Sequence, residues 1–160
     1  MHQPDTVTLR LARAPEAPAM ALMSRELIET GLGWRYTPLR MAMLMRDANT
    51  VALVATEATA AASIAGFAVM QFGDERAHLM LLCVQAAQQR RGIGRRLLAW
   101  LTLSAQVAGI AKIQLELRAD NHQALAFYRQ QGYGEDGLIE CYYGGTVAAR
   151  RMACLLRIAS

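Results

Sequence analysis

Gly92 and Gly94 stand two residues apart inside a cluster of four arginines, Arg90, Arg91, Arg95 and Arg96. Glycines at alternating positions let backbone N–H groups come close to an anion. The run Gln89-Arg90-Arg91-Gly92-Ile93-Gly94-Arg95 lies between an apolar segment and an amphipathic one, so it opens a helix. A helix N-terminus carries unpaired N–H groups and a dipole that favours negative charge. Guanidinium forks match phosphate oxygens. This spacing suits a pyrophosphate; the same glycines would also serve a tight turn without a ligand. A dinucleotide fingerprint would place a third glycine where Leu97 stands, and a Walker loop needs Gly-Lys-Ser/Thr, which is absent.

A second group of residues could move protons. In the segment Lys112–Arg118, Ile113, Leu115 and Leu117 face one way and Gln114, Glu116 and Arg118 the other. A polar face on a central strand covered by helices is unusual and points to a wet cleft. Glu116 is there either a general base or half of an ion pair with Arg118 or another arginine. Tyr128 follows Ala124 and Leu125 by about one helical turn; it is either core or a proton donor whose hydroxyl needs a partner. Asn121 suits a helix N-cap. His78 and His122 are alternative bases. Cys83 reads as a core thiol, since no histidine is near it in sequence and direct group transfer needs no thiol nucleophile. Trp34-Arg35-Tyr36 form an aromatic loop suited to substrate contact or to packing.

The chain has 160 residues, the size of a single domain, here read as 1–160, and long enough to bury a core without disulfides or metals. Hydrophobic residues make up 54% and charged ones 19%, which excludes a disordered chain. Lys112 is the only lysine among seventeen basic residues, and the net charge is +4. Beyond the loop the arginines are scattered, so no nucleic-acid stripe is expected. Three cysteines without a CxxC spacing imply neither a disulfide framework nor a zinc site, and no metal is expected. Met1–Arg13 lacks an apolar leader core, and Leu97–Ala111 is too short to span a bilayer, so a cytoplasmic protein without membrane association is expected.

The elements that must carry these residues follow from periodicity. Strands are expected at Thr6–Ala12, Thr50–Ala55, Ser63–Phe72 (broken by Gly66), Arg76–Val84, Lys112–Arg118, Tyr133–Tyr143 and Ala148–Ile158. Helices are expected at Pro15–Glu29, Pro38–Arg46, Gly92–Ala108 and Asn121–Gln131, with Gly109 and Gly132 closing the last two. Turns fall at 55–62, Gly73-Asp74-Glu75 and Gly144-Gly145. The fold class is α/β: a mixed, mostly antiparallel sheet of about seven strands with a parallel strand–helix–strand core and helices on both faces.

Residues 76–134 resemble the GNAT acetyltransferase superfamily. Gln89, Gly92 and Gly94 match its Q/R-x-x-G-x-G/A element. Leu115-Glu116-Leu117-Arg118-Ala119-Asp120-Asn121 followed by Ala124, Tyr128, Gly132 and Tyr133 matches its second motif. Within the superfamily the pattern, with the late pair Tyr142-Tyr143, is most similar to that of ribosomal-protein-alanine N-acetyltransferases. The resemblance implies acetyl-CoA as co-substrate. Arg90–Arg95 would hold its pyrophosphate, and Leu82, Cys83 and Val84 would pair their backbone with its pantetheine arm. Asn121 would contact it. Glu116 would be the proton acceptor and Tyr128 the donor. The chain departs from those enzymes where they carry an acid before the last strand: Ala149, Arg150 and Arg151 stand there.

The implied function is N-acetylation of a primary amine by direct attack in a ternary complex, with a protein N-terminal α-amine as acceptor. The oxyanion would be stabilised by a backbone N–H near Cys83–Val84. A small-molecule amine acetyltransferase and a non-catalytic acetyl-CoA sensor are the alternatives; retention of Glu116 and Tyr128 speaks against the sensor. A homodimer is compatible with the resemblance.

Overall fold

The computed structural model describes residues 7–57, 63–143 and 147–156. Its strands are β1 (Val7–Leu11), β2 (Thr50–Glu57), β3 (Ile64–Phe72), β4 (Arg76–Val84), β5 (Lys112–Arg118), β6 (Gly134–Tyr143) and β7 (Val147–Leu155). Its helices are α1 (Ala17–Leu27), α2 (Pro38–Arg46), α3 (Ile93–Val107) and α4 (His122–Gln130). The seven strands form one sheet in the order β1-β2-β3-β4-β5-β7-β6. β4 and β5 are parallel, as the intervening helix requires; β1–β2, β5–β7 and β6–β7 are antiparallel. The expected mixed seven-stranded sheet is therefore observed. No helix among the described residues is long and apolar enough to cross a membrane.

The chain forms two compact units. The first comprises Met1–Met70 and Leu81–Leu101. β1 pairs with β2 from Val7↔Glu57 to Leu11↔Leu53. Pro38 at the first turn of α2 and the Thr37 hydroxyl, which accepts from Arg40 N–H at 3.3 Å, start that helix where the sequence indicates. Met20, Met41, Leu53, Phe67, Met70, Ile93, Leu97 and Leu101 are fully buried in this unit.

The second unit comprises Gln71–Met80 and Thr102–Ser160. β5 lies between β4 and β7: Arg76–His78 align with Lys112–Gln114, and Lys112–Arg118 run against Leu155–Ala149. Ile113, Leu115 and Leu117 are buried while their neighbours along β5 are half-exposed, which is the alternation read from the sequence. The Asn121 side chain accepts from Ala124 N–H at 3.0 Å and caps α4.

Several boundaries differ from expectation. The helix foreseen over Pro15–Glu29 begins as a 3-10 turn, Ala14–Glu16, and α1 proper ends at Leu27. β2 runs on to Glu57, because Ala55, buried, continues the strand core; residues 58–62 of the expected turn lie outside the described residues, as do Gly144-Gly145 and Ile158. Gly66 does not break β3, which is continuous from Ile64 to Phe72. Its role is steric: a Cβ there would come within 2.9 Å of the Cys83 carbonyl oxygen, 3.2 Å of Val84 Cγ2 and 3.4 Å of Ile93 Cγ2. Strand β3 thus touches the end of β4 and the start of α3 through a bare backbone. Gly66→Ala is expected to destabilise the protein by about 1–3 kcal/mol through overpacking against a backbone atom that cannot rotate away. Urea denaturation of the two proteins measures it.

Candidate active site

The first unit holds the glycine–arginine loop. β4 ends at Val84, a 3-10 turn occupies Ala86–Gln88, and α3 starts at Ile93. Between them Arg90 has φ 68° and Gly92 φ 76°. Two left-handed residues flanking Arg91 fold the chain so that successive N–H groups can converge, and the left-handed arginine carries strain of the kind found at ligand sites. Nothing lies within 4 Å of the position a Gly92 Cβ would take, so glycine is required there by φ and not by crowding. The bond from Arg96 N–H to Gly92 C=O, 3.0 Å, opens the helix, and the N–H groups before it have no intrahelical acceptor. The Gln89 amide donates to the Val84 carbonyl at 3.2 Å and ties the loop back to its strand.

The four arginines separate in role. Arg91 bonds to Glu57 Oε1 at 2.5 Å and to the Gln88 side chain, which anchors the loop on β2. Arg90 and Arg95 make no ion pair among the described residues, and both are exposed. The Glu57–Arg91 pair had no sequence signature, since it spans 34 positions.

The second unit brings His78, Glu116 and Arg151 together. His78 is level with Gln114 in the parallel pair, so Glu116 is one same-face step along β5; Arg151 is directly opposite Glu116 on β7. Glu116 Oε2 meets His78 Nε2, and Glu116 Oε1 accepts from Arg151 Nε at 3.3 Å. The carboxylate is 12% exposed and the imidazole 42%. The hydrogen bond with His78 holds the Glu116 carboxyl below the ordinary carboxylate range; burial opposes this, and Arg151 adds to it. Of the two sequence readings of Glu116, the ion pair is observed, with Arg151 as the partner. Arg118 is instead 3.5 Å from Asp120.

In the same unit Tyr128 is buried, 8% exposed, and its ring packs edge-on against Phe127 and Tyr133 at centroid distances of 5.1 and 5.5 Å. Asn121 uses Oδ1 in the cap, which leaves its amide N–H groups for a ligand. The Tyr133 hydroxyl is buried without a hydrogen-bond partner among the described residues, and burial pushes its phenol up. In the first unit, burial likewise pushes the Cys83 thiol far up, which suits a core thiol and not a nucleophile. Leu82 and Val84 flank it on the half-exposed face of β4.

Sequence reasoning missed Glu29. It is 6% exposed in the first unit, where Oε1 accepts from Arg35 N–H at 2.7 Å and Tyr36 N–H at 3.2 Å and Oε2 from the Ser24 hydroxyl at 2.9 Å. This carboxylate fixes the loop Gly31–Tyr36. The Trp34 indole donates to Ala21 C=O at 3.3 Å and stacks under Arg25. The available signal was Ser24, a polar residue on the buried stripe of α1 that needs a partner.

The seven-stranded mixed sheet with its parallel β4–α3–β5 step is the α/β fold of acetyltransferases. The chain belongs to the acetyltransferase (GNAT) family, whose profile matches residues 20–133. It is 36% identical over 83 residues to the ribosomal protein bS18-alanine N-acetyltransferase of Escherichia coli K12, a stretch covering 52% of this chain and 56% of that protein. The chain thus spans about half the length of the curated relatives it matches. The solved ribosomal-protein-S18-alanine N-acetyltransferase from Escherichia coli is similar with a TM-score of 0.80 at 25% identity, covering 96% of each chain. Ard1 from Thermoplasma volcanium shares the fold, with a TM-score of 0.82 at 22% identity over 95% of this chain and 99% of that one.

Two predictions follow from the second unit. Because the folded-state value of Glu116 lies below its ordinary 4.5, its contribution to stability is complete above that pH and is lost as pH falls through the lowered value. Glu116→Gln is therefore expected to flatten the acid limb of a stability-versus-pH curve while costing stability at neutral pH; denaturant midpoints across the acid range report it. Tyr133→Phe removes a buried hydroxyl without a partner and is expected to be neutral or to stabilise by up to about 1 kcal/mol. A lowered melting temperature in that variant would count against this account.

Proposed function

We propose that this protein transfers the acetyl group of acetyl-CoA to a primary amine by direct attack in a ternary complex, and that the acceptor is a protein N-terminal α-amine. The observation that carries the reading is the left-handed pair Arg90 and Gly92 ahead of the α3 N-terminus, in a chain of the acetyltransferase family. The residues present fit the co-substrate. The N–H groups at the start of α3 and the guanidinium groups of Arg90 and Arg95 would hold the pyrophosphate, while Gln89 and Arg91 keep the loop in shape. The Leu82–Val84 backbone would hold the pantetheine arm, and the Asn121 amide would contact the same ligand. When bound, acetyl-CoA supplies an activated thioester. Tyr128 gives a proton to the leaving sulfur, and Glu116 belongs to the cluster that receives the amine's proton.

The choice of an α-amine follows from acid–base strength. A carboxylate held below its ordinary range by His78 and Arg151 is a weak base. An α-amine has a pKa of roughly 7.7–8 and a lysine amine about 10.4, so deprotonating lysine at neutral pH costs about 3.4 kcal/mol more. A weak base suits the acceptor that is already partly neutral. Similarity to a ribosomal-protein-alanine N-acetyltransferase supports a protein N-terminus beginning with alanine as the first acceptor to try.

Thiol release from acetyl-CoA, measured with an alanine-starting peptide, an N-blocked lysine peptide and a polyamine, tests this. The expected order puts the α-amine ahead of lysine by about 100-fold near neutral pH. Tyr128→Phe is expected to lower kcat by at least about 100-fold with acetyl-CoA binding retained. Polyamine turnover above the peptide would instead favour a small-molecule acetyltransferase, and binding with no turnover a sensor.

A further inference from the structure

We propose that His78 is the group that takes the proton from the acceptor amine, and that Glu116 acts through it as a positioning residue. The inference deepens the acetyltransferase reading and rests on it.

The geometry of the second unit sets the two roles apart. Glu116 has both carboxylate oxygens engaged, Oε2 with His78 and Oε1 with Arg151, and only 12% of its side chain is exposed. Each oxygen already accepts one hydrogen bond, and His78 first and Arg151 after it lower the proton affinity of the carboxylate. His78 has the opposite character. Its side chain is 42% exposed, and it meets Glu116 through Nε2. A carboxylate at Nε2 selects the tautomer with the proton on Nε2, which leaves the Nδ1 lone pair as acceptor. An imidazole whose second nitrogen is held by a buried carboxylate is a base with a fixed orientation, and the imidazolium it becomes faces a negative charge.

The charged surroundings agree with this. On β5 the same-face groups are Glu116, Lys112 and Arg118; Lys112 pairs with Asp136 of β6 at 3.1 Å, and Arg118 lies 3.5 Å from Asp120. On β7, Arg151 is opposite Glu116. On β4, Arg76 shares the face of His78, and β3 carries no charged residue from Ile64 to Phe72. Glu116 is the anion that meets the imidazole, while Asp136 accepts from Lys112 and, at 3.5 Å, from Gln114, which is level with His78; His78 first and Arg151 after it hold Glu116 below its ordinary range.

The amine nitrogen forms its bond to the acyl carbon and gives a proton to His78 Nδ1. The carbon–sulfur bond breaks, and the thiolate leaves with the electron pair. The Tyr128 hydroxyl protonates that sulfur, and solvent returns the protons between turnovers. No oxidant or metal is consumed.

The 160-residue protein, acetyl-CoA and an alanine-starting peptide test the assignment. His78→Gln, with His78→Asn as a second variant, is expected to lower kcat by about 100-fold, to leave the KM for acetyl-CoA within about twofold, and to abolish the acidic limb of the pH–kcat profile. Nitrogen-15 spectra of the imidazole should show the Nε2–H tautomer in the wild type and a tautomer mixture in Glu116→Ala, whose kcat falls by about 10-fold. Wild-type kcat and an unchanged acidic limb in both His78 variants would overturn the inference and leave the acetyltransferase reading standing. An Nδ1–H tautomer in the wild type would overturn it as well. Absence of thiol release by the wild type with every amine would overturn both.

Discussion

The contact between Gly66 and the end of β4 is the constraint on which the loop ahead of α3 depends. β3 approaches so closely that only a residue without a side chain fits beside the Cys83 carbonyl, and the same glycine abuts Val84 and Ile93. The strand's end and the helix's start are thereby fixed against one backbone. The intervening chain must turn within the space left, which it does through left-handed Arg90 and Gly92. The Gln89 amide on Val84 and the Arg91 pair with Glu57 then hold that turn.

The second unit solves a different problem. A carboxylate on a sheet face costs free energy unless it is partnered, and Glu116 is partnered twice. The two partners differ in chemistry. Arg151 is a guanidinium that donates through Nε to Oε1; His78 is an imidazole that meets Oε2 through Nε2. The register places them on opposite neighbours of β5, one through a parallel pair and one through an antiparallel pair. The arginines at 150 and 151, where the resembling enzymes carry an acid, therefore have structural work: Arg151 on Glu116, and Arg150 on Glu135 at 3.1 Å.

Much of the fold was legible because it is written in local periodicity. β5 alternates buried and half-exposed residues along its whole length, α2 starts at Pro38, and α4 begins at its asparagine cap. The reading failed where a residue answers to a distant neighbour. Gly66 looked like a strand breaker because a glycine in a strand weakens it locally; its reason is a backbone on the next strand. Glu29 looked like the last turn of a helix, whereas its carboxylate is a buried hub for Ser24, Arg35 and Tyr36. Glu116 stood open between base and ion pair, since composition cannot say which arginine lies opposite.

The opening loop shows the same division. By itself the sequence determined that Gln89–Arg95 is a glycine turn at a strand–helix junction, because glycine spacing and helix polarity act over a few residues and need no tertiary partner. It also carried the motifs of the acetyltransferase family. Only the tertiary structure decided which arginine is structural and which carboxylate is engaged. Arg91 is drawn to Glu57 and Glu116 to His78 and Arg151 by pairings between strands far apart in sequence, and such pairings exist only once the sheet fixes its register.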